Sequence, residues 1–148
     1  MAFELDYDEM MLLDAEDLAE GGIAKAYAEL LPKLREHVTE CAEVEDVMDD
    51  VAPRYSVRSA GKEFPIYAPE LHESEGHSWG RAAHALFTIV NEQLSGSAVR
   101  LFAINGGNDL GGMFLTQAQA EEARQTLPNK RDWPYIVTNE YPAYGQFQ

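Results

Sequence analysis

A glycine-rich segment between two short apolar stretches sets the strongest constraint on how this chain folds. Residues 105–112 read Asn-Gly-Gly-Asn-Asp-Leu-Gly-Gly, so four of the eight positions are glycine. Glycine adopts positive φ at little steric cost, and asparagine and aspartate stabilise turns through their own side chains. Because residues 99–104 are apolar except for Arg100 and residues 113–115 are apolar, we predict a buried strand, a tight turn and a short return strand.

Two long stretches carry apolar residues at the spacing of an amphipathic helix. They are residues 23–38, with a kink expected at Pro32, and residues 79–94, where Ser78 is placed to cap the first turn. A shorter acidic helix is predicted over residues 43–50. The first third of the chain is therefore expected to be helical.

Two more short helices have N-terminal caps in the sequence. Asp14, with a second aspartate three residues on, predicts a helix that ends at the two glycines at 21–22. Thr116 and Gln119 have the spacing of a capping box, and Pro128 would stop the helix that they begin.

Strand patterns occupy both ends and the middle of the chain. Residues 3–7 alternate apolar and acidic side chains, which is typical of a half-buried strand. Residues 55–67 predict a hairpin turned at residues 60–61, and Pro65 places its second strand at an edge or beside a bulge. A last strand is predicted over residues 133–138.

The elements do not alternate as regular βαβ units, which favours an α+β fold. We expect a single domain over residues 1–148, with a mainly antiparallel sheet and helices packed on one face. Charge divides this domain unevenly. Residues 1–50 hold 16 acidic and 3 basic side chains, whereas residues 51–148 hold 10 and 8. The expected organisation is an acidic helical N-terminal third and a nearly neutral, strand-containing remainder.

The net charge of −15 excludes some classes of partner. It would repel nucleic acid and anionic lipid, so we expect neither DNA, RNA nor membrane binding. One cysteine, Cys41, excludes an intramolecular disulfide and favours a reducing compartment. Since no signal peptide or membrane-spanning stretch is present, a cytoplasmic location is expected.

No pattern of catalytic residues is convincing. Residues 76–80 match the G-x-S-x-G motif around Ser78, but a polar loop precedes it and the only later histidine, His84, follows within the same predicted helix. The glycine-rich segment has neither the phosphate-binding lysine nor the following helix of a nucleotide-binding loop. We therefore expect no catalytic residues and no cofactor.

Metal ligation is also not expected. His72, His77 and His84 have several glutamates nearby, but no spacing typical of a metal site connects them.

Three sequence blocks together resemble a family of small, acidic bacterial proteins. They are Ser-Trp-Gly-Arg-Ala at residues 78–82, the glycine-rich segment with its flanks at residues 104–116, and Asp-Trp-Pro-Tyr at residues 132–135. The family is associated with the immunity proteins of contact-dependent and other polymorphic toxin systems. The resemblance implies a non-enzymatic cytoplasmic inhibitor that binds one cognate toxin, and it brings no catalytic residues with it.

An acidic face suits such a role, because many toxins of this kind are nucleases with basic substrate grooves. We hypothesise that acidic residues of the first third supply the electrostatic part of the interface, and that the glycine-rich segment and nearby aromatic residues supply its shape. The candidate partner-binding residues are Asp14, Glu16, Asp17, Glu20, Glu43, Glu45, Asp46, Asp49, Asp50, Asn105, Asn108, Asp109, Trp133 and Tyr135.

Two alternatives stay open at this point. One is a small enzyme, for which a pocket holding His84 or Asp109 would be the evidence. The other is a scaffold or regulatory module that forms a homodimer through the predicted C-terminal aromatic strand.

Overall fold

Two antiparallel sheets and four α-helices make up the fold of the computed structural model, which describes residues 6–49, 51, 54–69, 75–140 and 144–146. The helices are α1 (Ala15–Gly21), α2 (Ile23–Leu34), α3 (Glu75–Gln93) and α4 (Gln117–Thr126). The strands are β1 (Met11–Leu12), β2 (Val44–Asp49), β3 (Arg54–Ser59), β4 (Lys62–Tyr67), β5 (Val99–Ile104) and β6 (Gly111–Thr116). The three-stranded sheets have the orders β1-β6-β5 and β2-β3-β4. The predicted α+β class with antiparallel pairing is confirmed.

The glycine-rich segment joins β5 to β6 as predicted. The two strands pair from Val99 opposite Thr116 to Ile104 opposite Gly111. The last two glycines of the segment belong to β6 rather than to the turn. A Cβ atom on Gly112 would lie 3.0 Å from Leu13 Cδ1. The missing side chains therefore let the N-terminal segment, including β1, lie close against β6.

Strand β5 is buried on both faces. Leu101 and Ala103 belong to the main core, whereas Phe102 and Ile104 pack in a second cluster with alanines of α4. Helices α3 and α4 both contact β5. Helices therefore cover both faces of this sheet, and a strand in that position carries a continuous apolar run rather than an alternating pattern.

The outer edge of β5 is occupied by groups from elsewhere in the chain. The Asn91 side chain on α3 accepts from the Leu101 N–H at 2.7 Å and donates to the Leu101 carbonyl at 3.1 Å. Two residues further on, the backbone of Tyr135 makes both hydrogen bonds to Ala103, at 2.8 and 2.9 Å. Backbone groups of this strand that face away from β6 are thus satisfied.

One hydrophobic core connects the acidic third to the rest of the chain. Leu18 of α1, Leu30 of α2, Tyr55 of β3 and Leu86 of α3 are all buried in it. Helix α3 contacts both sheets, through β4 and β5. Residues 1–50 are therefore not a separate unit.

Two of the three predicted helix caps are confirmed, those at Asp14 and Thr116. Asp14 Oδ1 accepts from the N–H groups of Glu16 and Asp17 at 3.0 and 3.4 Å. The Thr116 and Gln119 side chains each accept from the other's backbone N–H, as in a capping box. Among the described residues, no helix is both long and apolar enough to cross a membrane.

The acidic helix predicted over residues 43–50 is wrong. Residues 44–49 form β2, which pairs along its whole length with β3; residue 50 lies outside the described residues. The apolar positions Val44, Val47 and Met48 have the spacing of a helical turn and do not alternate as in a half-buried strand. Pairing with the distant strand β3 overrides this local pattern.

Two other predictions at the ends of elements are wrong. Ser78 does not cap α3, because the helix begins at Glu75 and Ser78 lies in its first turn. The predicted strand over residues 133–138 is reduced to one isolated bridge between Tyr135 and Ala103. Pro134 cannot donate a ladder hydrogen bond beside that bridge.

The predicted hairpin is confirmed as β3 and β4. Ala60 and Gly61 have positive φ at its turn, and the register shifts where Pro65 lies in the edge strand β4. Of the predicted strand over residues 3–7, residues 3–5 lie outside the described part. Tyr7 begins a short 3-10 turn capped by the Asp6 carboxylate instead.

Gly112→Ala should destabilise the fold by about 1–3 kcal/mol, because its methyl group would press on Leu13 and on Leu101 at 3.2 Å. Gly96→Ala is the matched control, since a Cβ atom there meets nothing within 4 Å. Urea unfolding of the two variants measures the difference. Equal midpoints would contradict the close approach at Gly112.

Candidate functional site

The glycine-rich turn packs against the N-terminus of α1. The Leu110 carbonyl accepts from the N–H groups of Leu13 and Asp14 at 2.8 and 3.1 Å. The Asn108 side-chain amide donates to Asp14 Oδ1 at 3.0 Å. Asp14 was predicted for the electrostatic part of the interface and Asn108 for the part that determines its shape. The structure brings these two residues into direct contact.

The turn has a defined internal geometry. Asn105 and Gly107 both have positive φ, at 60° and 58°. The Tyr135 hydroxyl donates to the Asn105 carbonyl at 2.6 Å. Burial raises the pKa of Tyr135 to about 12, which keeps this hydroxyl protonated as a donor at neutral pH. The Tyr135 hydroxyl and the Asn105 carbonyl thus fix the turn from within.

Three carboxylates surround this junction, and we call Asp14, Asp17 and Asp109 the acidic rim. Asp17 and Asp109 are exposed, and neither forms an ion pair with any described residue. Asp17 lies in the first turn of α1, where the helix dipole favours a negative charge. Glu16 beside it is partly buried and engaged within the protein.

Asp46 has a structural role within the fold. Its Oδ1 accepts from the N–H groups of Ile23 and Ala24, at 3.2 and 3.3 Å, and from the Tyr55 hydroxyl. Helix α2 begins after Gly22, which has no side chain to cap it. Asp46 therefore caps α2 from a neighbouring strand, and burial with this hydrogen bond raises the pKa of Tyr55.

The other acids of β2 lie beside basic residues. In the β2–β3 register Glu45 is opposite Arg58, and Asp49 is opposite Arg54. Arg58 also forms an ion pair with Glu63 of β4 at 2.6 Å. Opposite charges at directly paired positions stabilise a sheet and partly neutralise each other. This part of the predicted acidic face is therefore a mixed-charge surface.

The remaining acidic candidates are Glu20, Glu43 and Asp50. Glu20 is exposed at the end of α1 and Glu43 is exposed just before β2. Asp50 lies outside the described residues.

Trp133 anchors a loop. Its Nε1–H donates to the Leu127 carbonyl at 2.9 Å, and Lys130 Nζ lies 6.0 Å from the ring centroid. Tyr135 is buried in the main core. The two aromatic residues predicted for the interface therefore hold the structure together.

A cavity that the sequence did not predict opens beside the acidic rim. It has a volume of about 120 Å³ and lies between α3, the glycine-rich turn and the C-terminal segment. Its walls include Trp79, Gly107, Leu110, Val137 and Tyr144. These residues come from three distant parts of the chain, so no local pattern in the sequence could have indicated the cavity.

The candidate catalytic groups do not meet in this cavity. His84 is not among its walls, and burial lowers the pKa of His84, which keeps the imidazole neutral at pH 7. Ser78 lies within α3, and in the described part of the chain no strand runs directly into that helix, as a nucleophile elbow requires. The described residues include no group of three potential metal ligands, and His72 lies outside them.

Comparison of the chain with protein-family models, with curated proteins and with solved structures found no match. The geometry of the site is therefore the main basis for a functional conclusion.

Replacing Asp46 should separate its structural role from its charge. Asp46→Ala removes the shared acceptor of two helix N–H groups and of Tyr55, and should lower the free energy of unfolding by about 2–3 kcal/mol. Asp46→Asn keeps an acceptor oxygen and should recover most of that loss. Glu45→Gln, at an exposed neighbouring position, is the control, and urea unfolding is the measurement. An alanine variant as stable as this control would contradict the capping role.

Proposed function

We propose that this protein is a non-enzymatic binding protein that recognises a basic protein partner through the acidic rim. The observation that carries the proposal is the contact between Asn108 and Asp14. It places the glycine-rich turn beside the first turn of α1, so that the exposed carboxylates of Asp17 and Asp109 flank one small surface.

The electrostatics of the whole chain support this assignment. A net charge of −15 attracts basic partners over a distance and speeds their encounter. Several of the acidic side chains have structural partners, as Asp46 does. The rim differs from them because Asp17 and Asp109 form no ion pair with any described residue.

The resemblance of three sequence blocks to polymorphic-toxin immunity proteins makes the proposal more specific. In that role the partner is one cognate toxin, such as a nuclease, and the protein acts in the cytoplasm by covering a basic groove. Because Asp109 of the rim belongs to the glycine-rich block that carries the resemblance, both lines of reasoning point to the same surface.

The two alternatives have less support. The enzyme hypothesis needs a pocket with His84 or Asp109, and neither lines the cavity beside the rim. The homodimer hypothesis relied on a C-terminal strand, and residues 133–138 make only a single bridge.

Reversing the rim charges should weaken binding to the cognate partner. The variant Asp17→Lys with Asp109→Lys is compared with Glu36→Lys with Glu122→Lys, which makes the same change in net charge at exposed sites away from the rim. Proteins encoded beside this gene are purified and titrated by calorimetry at low and high salt. We expect the rim variant to lose about tenfold or more in affinity and most of the salt dependence, and the control to change little.

Two outcomes would overturn the proposal. One is that no neighbouring gene product binds the unaltered protein. The other is that the rim variant and its control lose affinity equally, since net charge alone would then explain binding. Thermal unfolding of both variants shows that they remain folded.

A further inference from the structure

The outer edge of β2 is the longest strand edge in the described fold that nothing covers. In each sheet two strands lie at the edges, β1 and β5 in one and β2 and β4 in the other. Strand β1 has two residues, Asn91 and Tyr135 cover β5, and Pro65 of β4 has no N–H group for an incoming strand to bond. Strand β2 has six residues and, in the described part of the chain, none of these features.

The hairpin of β3 and β4 shows which backbone groups of β2 face away from the sheet. Ser59 and Lys62 flank its two-residue turn, and residues in that position exchange both hydrogen bonds. Because directions alternate along a strand, Arg58 turns its backbone groups to its β2 partner, Glu45. The backbone groups that point outward are those of Val44, Asp46 and Met48. None of them forms a hydrogen bond with a described residue.

Open space lies beside this edge. A groove of about 540 Å³ has the start of β2 as one wall and α2 as the other. The helix wall carries the small side chains of Ala24 and Ala28 and the larger apolar side chain of Leu31. Towards the end of β2, the Met48 side chain is 52% exposed. Apolar side chains of an added strand would therefore have apolar surface to cover beside β2.

The charge of β2 determines which kind of strand fits. Residues 43–49 contain four acidic side chains and no basic one. Arg35 also lines the groove, but Glu43 and Glu45 outnumber it there. Opposite charges at directly facing positions stabilise a pair of strands. Glu45 and Asp49 each face an arginine on β3, and a carboxylate has acceptor sites for a second cation on its other side. A strand with basic residues facing these two acids is therefore favoured.

A second copy of this chain is a poor occupant of the same edge. Antiparallel pairing of two β2 strands through their outward groups brings like charges together. A pair centred on Asp46 puts that residue opposite itself, and a pair centred on Glu45 does the same. A pair centred on Val47 puts Glu45 opposite Asp49. Since like charges directly opposite destabilise a strand pair, these acids oppose self-association and leave the edge open to a basic strand.

We propose that the outer edge of β2 binds an extended basic segment of another protein as an added antiparallel strand, with lysine or arginine residues facing Glu45 and Asp49. Hydrogen bonds to the outward backbone groups of β2 supply the affinity, and the alternating side chains supply the selectivity. The inference goes beyond the proposed function, because β2 contributes no residue to the acidic rim.

A short peptide tests the charge requirement on the intact, ¹⁵N-labelled protein. The probe is acetyl-(Lys-Val)₃-amide, and acetyl-(Glu-Val)₃-amide is its acidic counterpart. We expect the lysine peptide to shift the amide resonances of Val44, Asp46 and Met48 saturably and to slow their hydrogen exchange by about tenfold. The amides of Glu45 and Val47, which face β3, should change less, and the glutamate peptide should not bind.

Three outcomes would overturn the proposal. The first is no saturable shift of the outward β2 amides at millimolar lysine peptide, and the second is equal binding of the glutamate peptide. The third is that the same amides shift when the protein alone is concentrated, because a second copy would then be the occupant.

N-methylation of the peptide tests the backbone pairing without altering the protein. Valines that face the groove lie opposite the outward residues of β2, so their N–H groups donate to β2, whereas the lysine N–H groups point away. Methylating the three valine nitrogens should weaken binding by at least about tenfold, and methylating the three lysine nitrogens should leave it unchanged. Equal losses would contradict an added strand.

Matched variants test the acids that the basic residues face. Glu45→Gln with Asp49→Asn should weaken the lysine peptide by about fivefold. Glu122→Gln with Glu140→Gln removes the same charge at exposed sites outside the sheet of β2 and should change little. Thermal unfolding shows that both variants remain folded. Equal weakening in the two variants would mean that net charge alone attracts the peptide.

Discussion

The carboxylate of Asp46 at the start of α2 is the interaction on which the arrangement of the N-terminal half depends. A helix that follows Gly22 directly has no cap of its own, and the acid on β2 supplies one together with the Tyr55 hydroxyl. Because those groups lie on β2 and β3, the cap fixes α2 against that sheet. Helix α1 then ends at the same glycines, and its N-terminus lies at the glycine-rich turn.

The structural role of Asp46 shows that the acidic residues of the first third do not all serve one surface. In the sequence they appear as a single acidic face, but in the structure they make different contacts. Asp14 and Asp46 cap helices, while Glu45 and Asp49 lie opposite arginines in a sheet. What remains for recognition is a smaller set of exposed carboxylates, and Asp17 and Asp109 lie where the glycine-rich turn gives them a defined setting.

Sequence reasoning succeeded where a structure is decided by neighbouring residues. The caps at Asp14 and Thr116 and the turn between β5 and β6 are local, and all three are confirmed. It failed where distant residues decide. Strand β2 is chosen by pairing with β3, and the role of Asp46 depends on N–H groups more than twenty residues away. The cavity needs side chains from α3, the turn and the C-terminal segment, so its existence is a property of the folded chain alone.

The covered edge of β5 limits how another chain can attach to this sheet. An exposed edge strand is a template on which another chain can add a strand, and many proteins aggregate by that route. Here the Asn91 amide and the Tyr135 backbone take the positions that an incoming strand would use at Leu101 and Ala103. Strand addition at these two residues is blocked. Any contact at this edge must therefore be made through side chains, and side chains are more selective than a backbone ladder that any sequence can form.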